Sequence, residues 1–117
     1  MARLSTHVLD TARGVPAGGL KIDLFILGGD VQRHVKTTVT DADGRTPEPL
    51  ISGETILPGT YELTFHAGDY HRRLGVPLST PPFLDLIVIR FGVADPGADY
   101  HVPLLLSPYA YSTYRGS

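Results

Sequence analysis

Apolar residues come along this chain in short runs, some alternating with polar positions and some continuous, each cut by Gly, Pro or Asp before it reaches helical length. That pattern predicts strands over 3–9 (RLSTHVL), 20–27 (LKIDLFIL), 31–40 (VQRHVKTTVT), 59–66 (GTYELTFH), 83–93 (FLDLIVIRFGV), 100–107 (YHVPLLLS) and 110–115 (AYSTYR), with a weak extra strand near 49–52. Between them lie turn-forming stretches: GVPAGG at 14–19, GGD at 28–30, DADGRTPEP at 41–49, STPP at 79–82 and ADPGAD at 94–99. One segment departs from the pattern. AGDYHRRLG at 67–75 reads as a short, polar, exposed helix with Asp69 as N-cap and Gly75 as terminator. Seven or eight short strands with one short helix predict an all-β chain, a Greek-key sandwich of two sheets in a single domain spanning 1–117.

Side chains alternate faces along a strand, so each run sorts into a core side and an outer side. In 3–9, Leu4, Thr6 and Val8 share one face, which puts His7 on the other beside Leu9. In 100–107, Val102, Leu104 and Leu106 share one face and His101 goes to the other with Pro103 and Leu105. Both imidazoles therefore point away from the sandwich core, onto a face that also carries apolar groups. Such a patch calls for a partner. If the two strands are neighbours, copies of the chain would meet face to face over a cleft lined by His7 and His101. The last strand has no Pro or Lys to block pairing with its own copy. Two interface types on one subunit make a tetramer with two-fold symmetry.

Composition narrows the partners. Ten basic against twelve acidic residues give a formal net charge of −2, which offers no basic stripe for nucleic acid. There is no cysteine, which removes disulfides, thiolate ligands and thiol nucleophiles and fits a reducing compartment. The opening MARLSTHVLD lacks the apolar run of a signal peptide, and FLDLIVIRF at 83–91 is about half a membrane span and carries Asp85 and Arg90. A cytoplasmic protein without a membrane anchor is expected.

Candidate chemistry rests on His7 and His101, two imidazoles on one coverable face. His34, in a polar strand, His66 and His71 read as structural or solvated. No His pair sits at ligand spacing on one element, so no metal site is expected. Arg45 follows the tight-turn signal Asp43-Gly44, and Arg115 stands beside Tyr114 and Ser117; alone, each reads as a solvated cation. There is no G-x-S-x-G elbow around a serine and no glycosidase-like carboxylate pair.

LSTHVLDTARGVPA at 4–17, DGR at 43–45, YHVPLLLSP at 100–108 and the closing YSTYRGS at 111–117 together resemble the 5-hydroxyisourate hydrolase family, the transthyretin-related proteins of urate breakdown. Tyr-Arg-Gly-Ser is the most specific part, since the hormone carrier transthyretin shares the fold without it. Ala110, where the family pattern has Gly, is a small departure. The resemblance implies a prealbumin-like β-sandwich, a homotetramer with active sites in a central channel, and hydrolysis of 5-hydroxyisourate to 2-oxo-4-hydroxy-4-carboxy-5-ureidoimidazoline without a cofactor. It further implies His7 and His101 in proton transfer and water positioning, and Arg45 on the substrate carbonyls. Tyr114 and Arg115 would hold the ring, and Ser117 would orient water or a histidine. Two other classes compete: a passive carrier of an aromatic ligand, and a purely structural sandwich. Neither needs the polar groups on the outer face.

Overall fold

The computed structural model describes residues 2–116. Those residues form β1 (Ala2–Asp10), β2 (Val15–Pro16), β3 (Lys21–Gly28), β4 (Val31–Val39), β5 (Ile51–Gly53), β6 (Gly59–His66), α1 (Ala67–Arg73), β7 (Leu86–Val93), β8 (Tyr100–Leu106) and β9 (Tyr111–Thr113). One sheet runs β2-β1-β8-β9, with β5 also pairing β1; the other runs β4-β3-β6-β7. Alternation closes the sandwich: Leu4 and Val8 of β1 and Leu104 and Leu106 of β8 are buried against Ile22 and Leu24 of β3, Leu63 and Phe65 of β6, and Ile87 of β7. Thr6, buried on the same face of β1, donates its hydroxyl to the Val102 carbonyl at 2.7 Å.

For the site, the decisive pairing is β1 with β8. They are parallel neighbours from Leu4↔Tyr100 to Asp10↔Leu106, so residues far apart in sequence lie side by side on the outer face. Parallel neighbours need a long crossover, and here the other sheet and the helix supply it.

Several boundaries differ from the sequence expectation, each for a physical reason. The turn at 14–19 contains β2, because Leu9↔Pro16 and Asp10↔Val15 fold the segment back onto β1. The strand expected from 83 begins at Leu86, which pairs with His66, the last residue of β6; earlier residues have no strand to pair with, and Phe83 is exposed against Tyr109. The strand expected over 110–115 is Tyr111–Thr113, with one further bridge at His101↔Gly116 in the same register. Pro103 lies between, opposite Tyr114, and has no N–H to give the ladder.

The helix is also corrected. β6 runs straight into α1, so His66 occupies the N-cap position without a side-chain bond, and Asp69 sits in the first turn, accepting from Arg72 Nη1 at 2.9 Å. Gly75 does end the helix, at φ +75° with its N–H on the Arg72 carbonyl at 3.0 Å. Nor is His71 exposed. Ala67, Tyr70 and His71 form an inward stripe at helical spacing, and His71 is 1% exposed. Tyr70 donates its hydroxyl to Asp10 Oδ2 at 2.7 Å, pinning the helix to the end of β1. His71 Nε2 has no hydrogen-bond partner among the described residues, and burial pushes its pKa down.

Candidate active site

On the outer face of the first sheet, Arg3, Ser5 and His7 follow one another along β1 at alternate positions, with Ser5↔His101 and His7↔Pro103 as cross-strand pairs. Arg45 arrives from the loop after β4. Asp41 folds that loop, its Oδ1 accepting from the N–H groups of Asp43 at 2.9 Å and Arg45 at 3.2 Å. Gly44 then lies against β1 at φ +76° with its carbonyl on the Val8 N–H at 2.8 Å; a Cβ there would be 2.2 Å from the Val8 carbonyl oxygen. Only glycine fits both the backbone angle and the approach. The loop thus docks on β1, and His7↔Arg45 becomes an antiparallel bridge.

The two imidazoles are held differently. His7 Nε2 is 2.8 Å from the Asp43 carbonyl oxygen, which can only accept, so Nε2 carries the proton and Nδ1 is the lone-pair nitrogen of the neutral ring. His101 Nδ1 shares a 2.8 Å hydrogen bond with Ser5 Oγ, and its Nε2 has no protein partner among the described residues. Burial, then the Arg45 charge and His7, push the His101 pKa below its ordinary 6.5, so the ring is neutral at pH 7.

A cavity of about 370 Å³ opens here, lined by Arg3, Ser5, Arg45, Pro49, Asp99 and His101. Its size suits a small planar molecule. Two guanidinium groups and a neutral imidazole in one cleft can bind a carbonyl-rich ring and move a proton beside it.

The structure brings His101 and Arg45 into this wall and sets His7 next to them along β1. Tyr114 and Arg115 go elsewhere. They line a second cavity, of about 340 Å³, at the open edge of the sandwich with Ile89, Phe91, Tyr100 and Val102. Arg115 stacks over the Tyr100 ring, its Cζ 4.3 Å from the centroid, and donates Nη2–H to the Asp99 carbonyl at 3.2 Å. Its link to the first cavity therefore runs through Asp99. Ser117 lies outside the described residues. Pro103, on the outer face, is nevertheless buried.

Sequence reasoning passed over Ser5, Arg3 and Asp99. The parity that placed His7 outward also placed Ser5 and Arg3 there, so that signal was present; Asp99 sits in a turn with no parity to read. His34 and His66 belong to another cluster, on the second sheet. Both share Asp23: His66 Nε2 is 2.8 Å and His34 Nε2 3.3 Å from its oxygens, and Thr37 donates to it as well. Burial raises the Asp23 pKa, but these hydrogen bonds outweigh it and leave the carboxyl below its ordinary range.

Two sheets of this topology with a polar cleft on one outer face define a transthyretin-like sandwich. The chain belongs to the HIUase/Transthyretin family, whose sequence profile matches residues 4–116. It is 61% identical to a Rhizobium meliloti protein named 5-hydroxyisourate hydrolase 2, over 98% of this chain and 96% of that one. A crystal structure of (S)-allantoin synthase matches at TM-score 0.92 and 44% identity, over 99% of this chain, which spans 44% of that chain's length. Sea bream transthyretin, solved in complex with thyroxine, matches at TM-score 0.83 and 27% identity, over 97% of this chain and 94% of that one. Among the described residues, no helix is long and apolar enough to cross a membrane.

Proposed function

We propose that this chain is a hydrolase that opens the six-membered ring of 5-hydroxyisourate, giving 2-oxo-4-hydroxy-4-carboxy-5-ureidoimidazoline. The observation that carries the reading is the outer-face cavity where a neutral His101 and Arg45 converge, in a chain 61% identical to a protein named for this reaction. Water adds to a ring carbonyl carbon, the C–N bond breaks, a new carboxyl group forms on that carbon, and the freed nitrogen takes up a proton. The step needs a proton acceptor, a donor for the developing oxyanion and a proton for the leaving nitrogen, and no cofactor. His7 offers Nδ1 and His101 offers Nε2 for proton transfer and water positioning. Arg45 polarises the carbonyls.

In this proposal residues 1–117 are one cytoplasmic domain that assembles as a homotetramer, with a second copy resting on Leu9 and Leu105 and roofing the cavity. Tyr114 and Arg115, at the rim beyond Asp99, hold the ring in the closed assembly, and Ser117 orients water or a histidine. The test is to generate the substrate in place from urate and urate oxidase and follow its transient ultraviolet absorbance. Added protein should speed the decay; an unchanged decay would overturn the hydrolase reading and leave a passive carrier. Sedimentation velocity tests the assembly, with a tetramer expected and a monomer at working concentration counting against it.

A further inference from the structure

His101 is gripped from two sides by residues without charge. On one side the β1–β8 register sets Ser5 beside it, and the hydroxyl shares the 2.8 Å hydrogen bond with Nδ1. Whichever atom of that pair holds the proton, Nδ1 is committed to Ser5, and Nε2 is the ring nitrogen left to act. On the other side Gly116 donates its N–H to the His101 carbonyl at 2.8 Å, which brings its α-carbon against the ring. A Cβ at 116 would be 2.6 Å from His101 Cδ2, 3.2 Å from Cγ and 3.3 Å from Cβ. Gly116 is not among the positive-φ glycines, so the backbone there does not itself call for glycine. What calls for it is the imidazole's volume. An alanine methyl would collide with the ring carbon next to Nε2, and His101 would have to turn, pulling Nδ1 off Ser5.

We propose that Ser5 and Gly116 are positioning residues for His101: the hydroxyl fixes which ring nitrogen is free, and the missing side chain leaves the space in which the ring holds that angle. The inference rests on the hydrolase reading for its consequence in turnover, but not for its geometry. A misplacement of about 1 Å in a proton-transfer group can cost a hundredfold in rate.

The test uses Ser5→Ala, Ser5→Thr and Gly116→Ala in the full-length chain, with two readouts. In turnover, Ser5→Ala and Gly116→Ala should each lower kcat about 10- to 100-fold with KM within about threefold, and Ser5→Thr, which keeps the hydroxyl, should retain most of the activity. In substrate-free protein, the 15N shifts of the two His101 ring nitrogens should be widely separated in the wild type and in Ser5→Thr, the mark of one tautomer. They should draw together in Ser5→Ala. Wild-type kcat and unchanged ring shifts in Ser5→Ala would overturn the role of the hydroxyl, and the same result in Gly116→Ala would overturn the role of the glycine. Should the wild type fail to speed substrate decay, the hydrolase reading falls, while the ring shifts still decide whether Ser5 holds the imidazole.

Discussion

Each sheet carries a pair of histidines outside the core, and the two pairs have opposite surroundings. On the second sheet, His34 and His66 share the carboxylate of Asp23, with Thr37 donating to the same group. On the first sheet, among the described residues, His7 and His101 take a carbonyl and a hydroxyl as hydrogen-bond partners, and the charge of Arg45 acts on His101. A carboxylate consumes an imidazole's N–H and holds it in place. A neutral partner on one nitrogen orients the ring and leaves the other nitrogen available, and at His101 burial and the nearby cation keep the ring uncharged. The same residue type is thus cross-link on one sheet and candidate reagent on the other, and the difference lies in which groups the fold brings alongside.

Breaking the reagent pair should have the largest effect. His101→Asn or His7→Asn should lower kcat on the order of 10²–10⁴ in the coupled urate assay, as expected for a proton-transfer group. Near-wild-type turnover in either variant would remove that residue from the mechanism. Arg45→Met should cost about 10²–10³ in kcat/KM through lost polarisation of the substrate carbonyl. It should also raise the His101 pKa, read by NMR titration, because the Arg45 charge is one of the causes holding it down.

The pH profile sharpens the contrast further. His101 titrates below its ordinary 6.5, so kcat/KM should be flat through neutral pH and fall only on the acid side of that value, as the ring takes up a proton. An acid limb centred above 6.5 would count against a buried His101 beside Arg45 as the group that sets it.

Breaking the cross-link pair should leave chemistry alone. Asp23→Ala removes the acceptor shared by both imidazoles and should lower stability by about 1–3 kcal/mol in urea unfolding, with kcat within about twofold of wild type. A large loss of turnover would mean the two faces are coupled. The smallest effect concerns His71, buried on the inner face of the helix with a lowered pKa. Below pH 6.5 the unfolded chain binds a proton that the folded ring resists. The stabilising contribution is therefore complete above 6.5 and shrinks as pH falls towards the lowered folded value. Tm measured between about pH 5 and 7.5 should fall less steeply in His71→Gln than in the wild type.

Much of this arrangement was legible along the chain. Alternation in RLSTHVL and YHVPLLLS sent His7 and His101 outward, because parity depends only on local backbone geometry. The Asp-Gly turn before Arg45 was readable for the same reason. The burial of His71 was not, since AGDYHRRLG looks polar and its inward stripe exists only once Tyr70 meets Asp10. The early end of β9 was also hidden, as it depends on Pro103 lying opposite Tyr114. Tyr114 and Arg115 share a short segment with Gly116, yet they line a different cavity from the one His101 occupies.

Residue order alone determined most of the strands and their inner and outer faces, which follow from neighbours within a few positions, and composition alone removed thiol chemistry. Which outward groups would meet was decided only when β8 crossed back to lie parallel to β1 and Gly44 let the Arg45 loop dock on it. Contacts between residues some 96 positions apart, such as Ser5 with His101, depend on register between strands, and no local pattern encodes that.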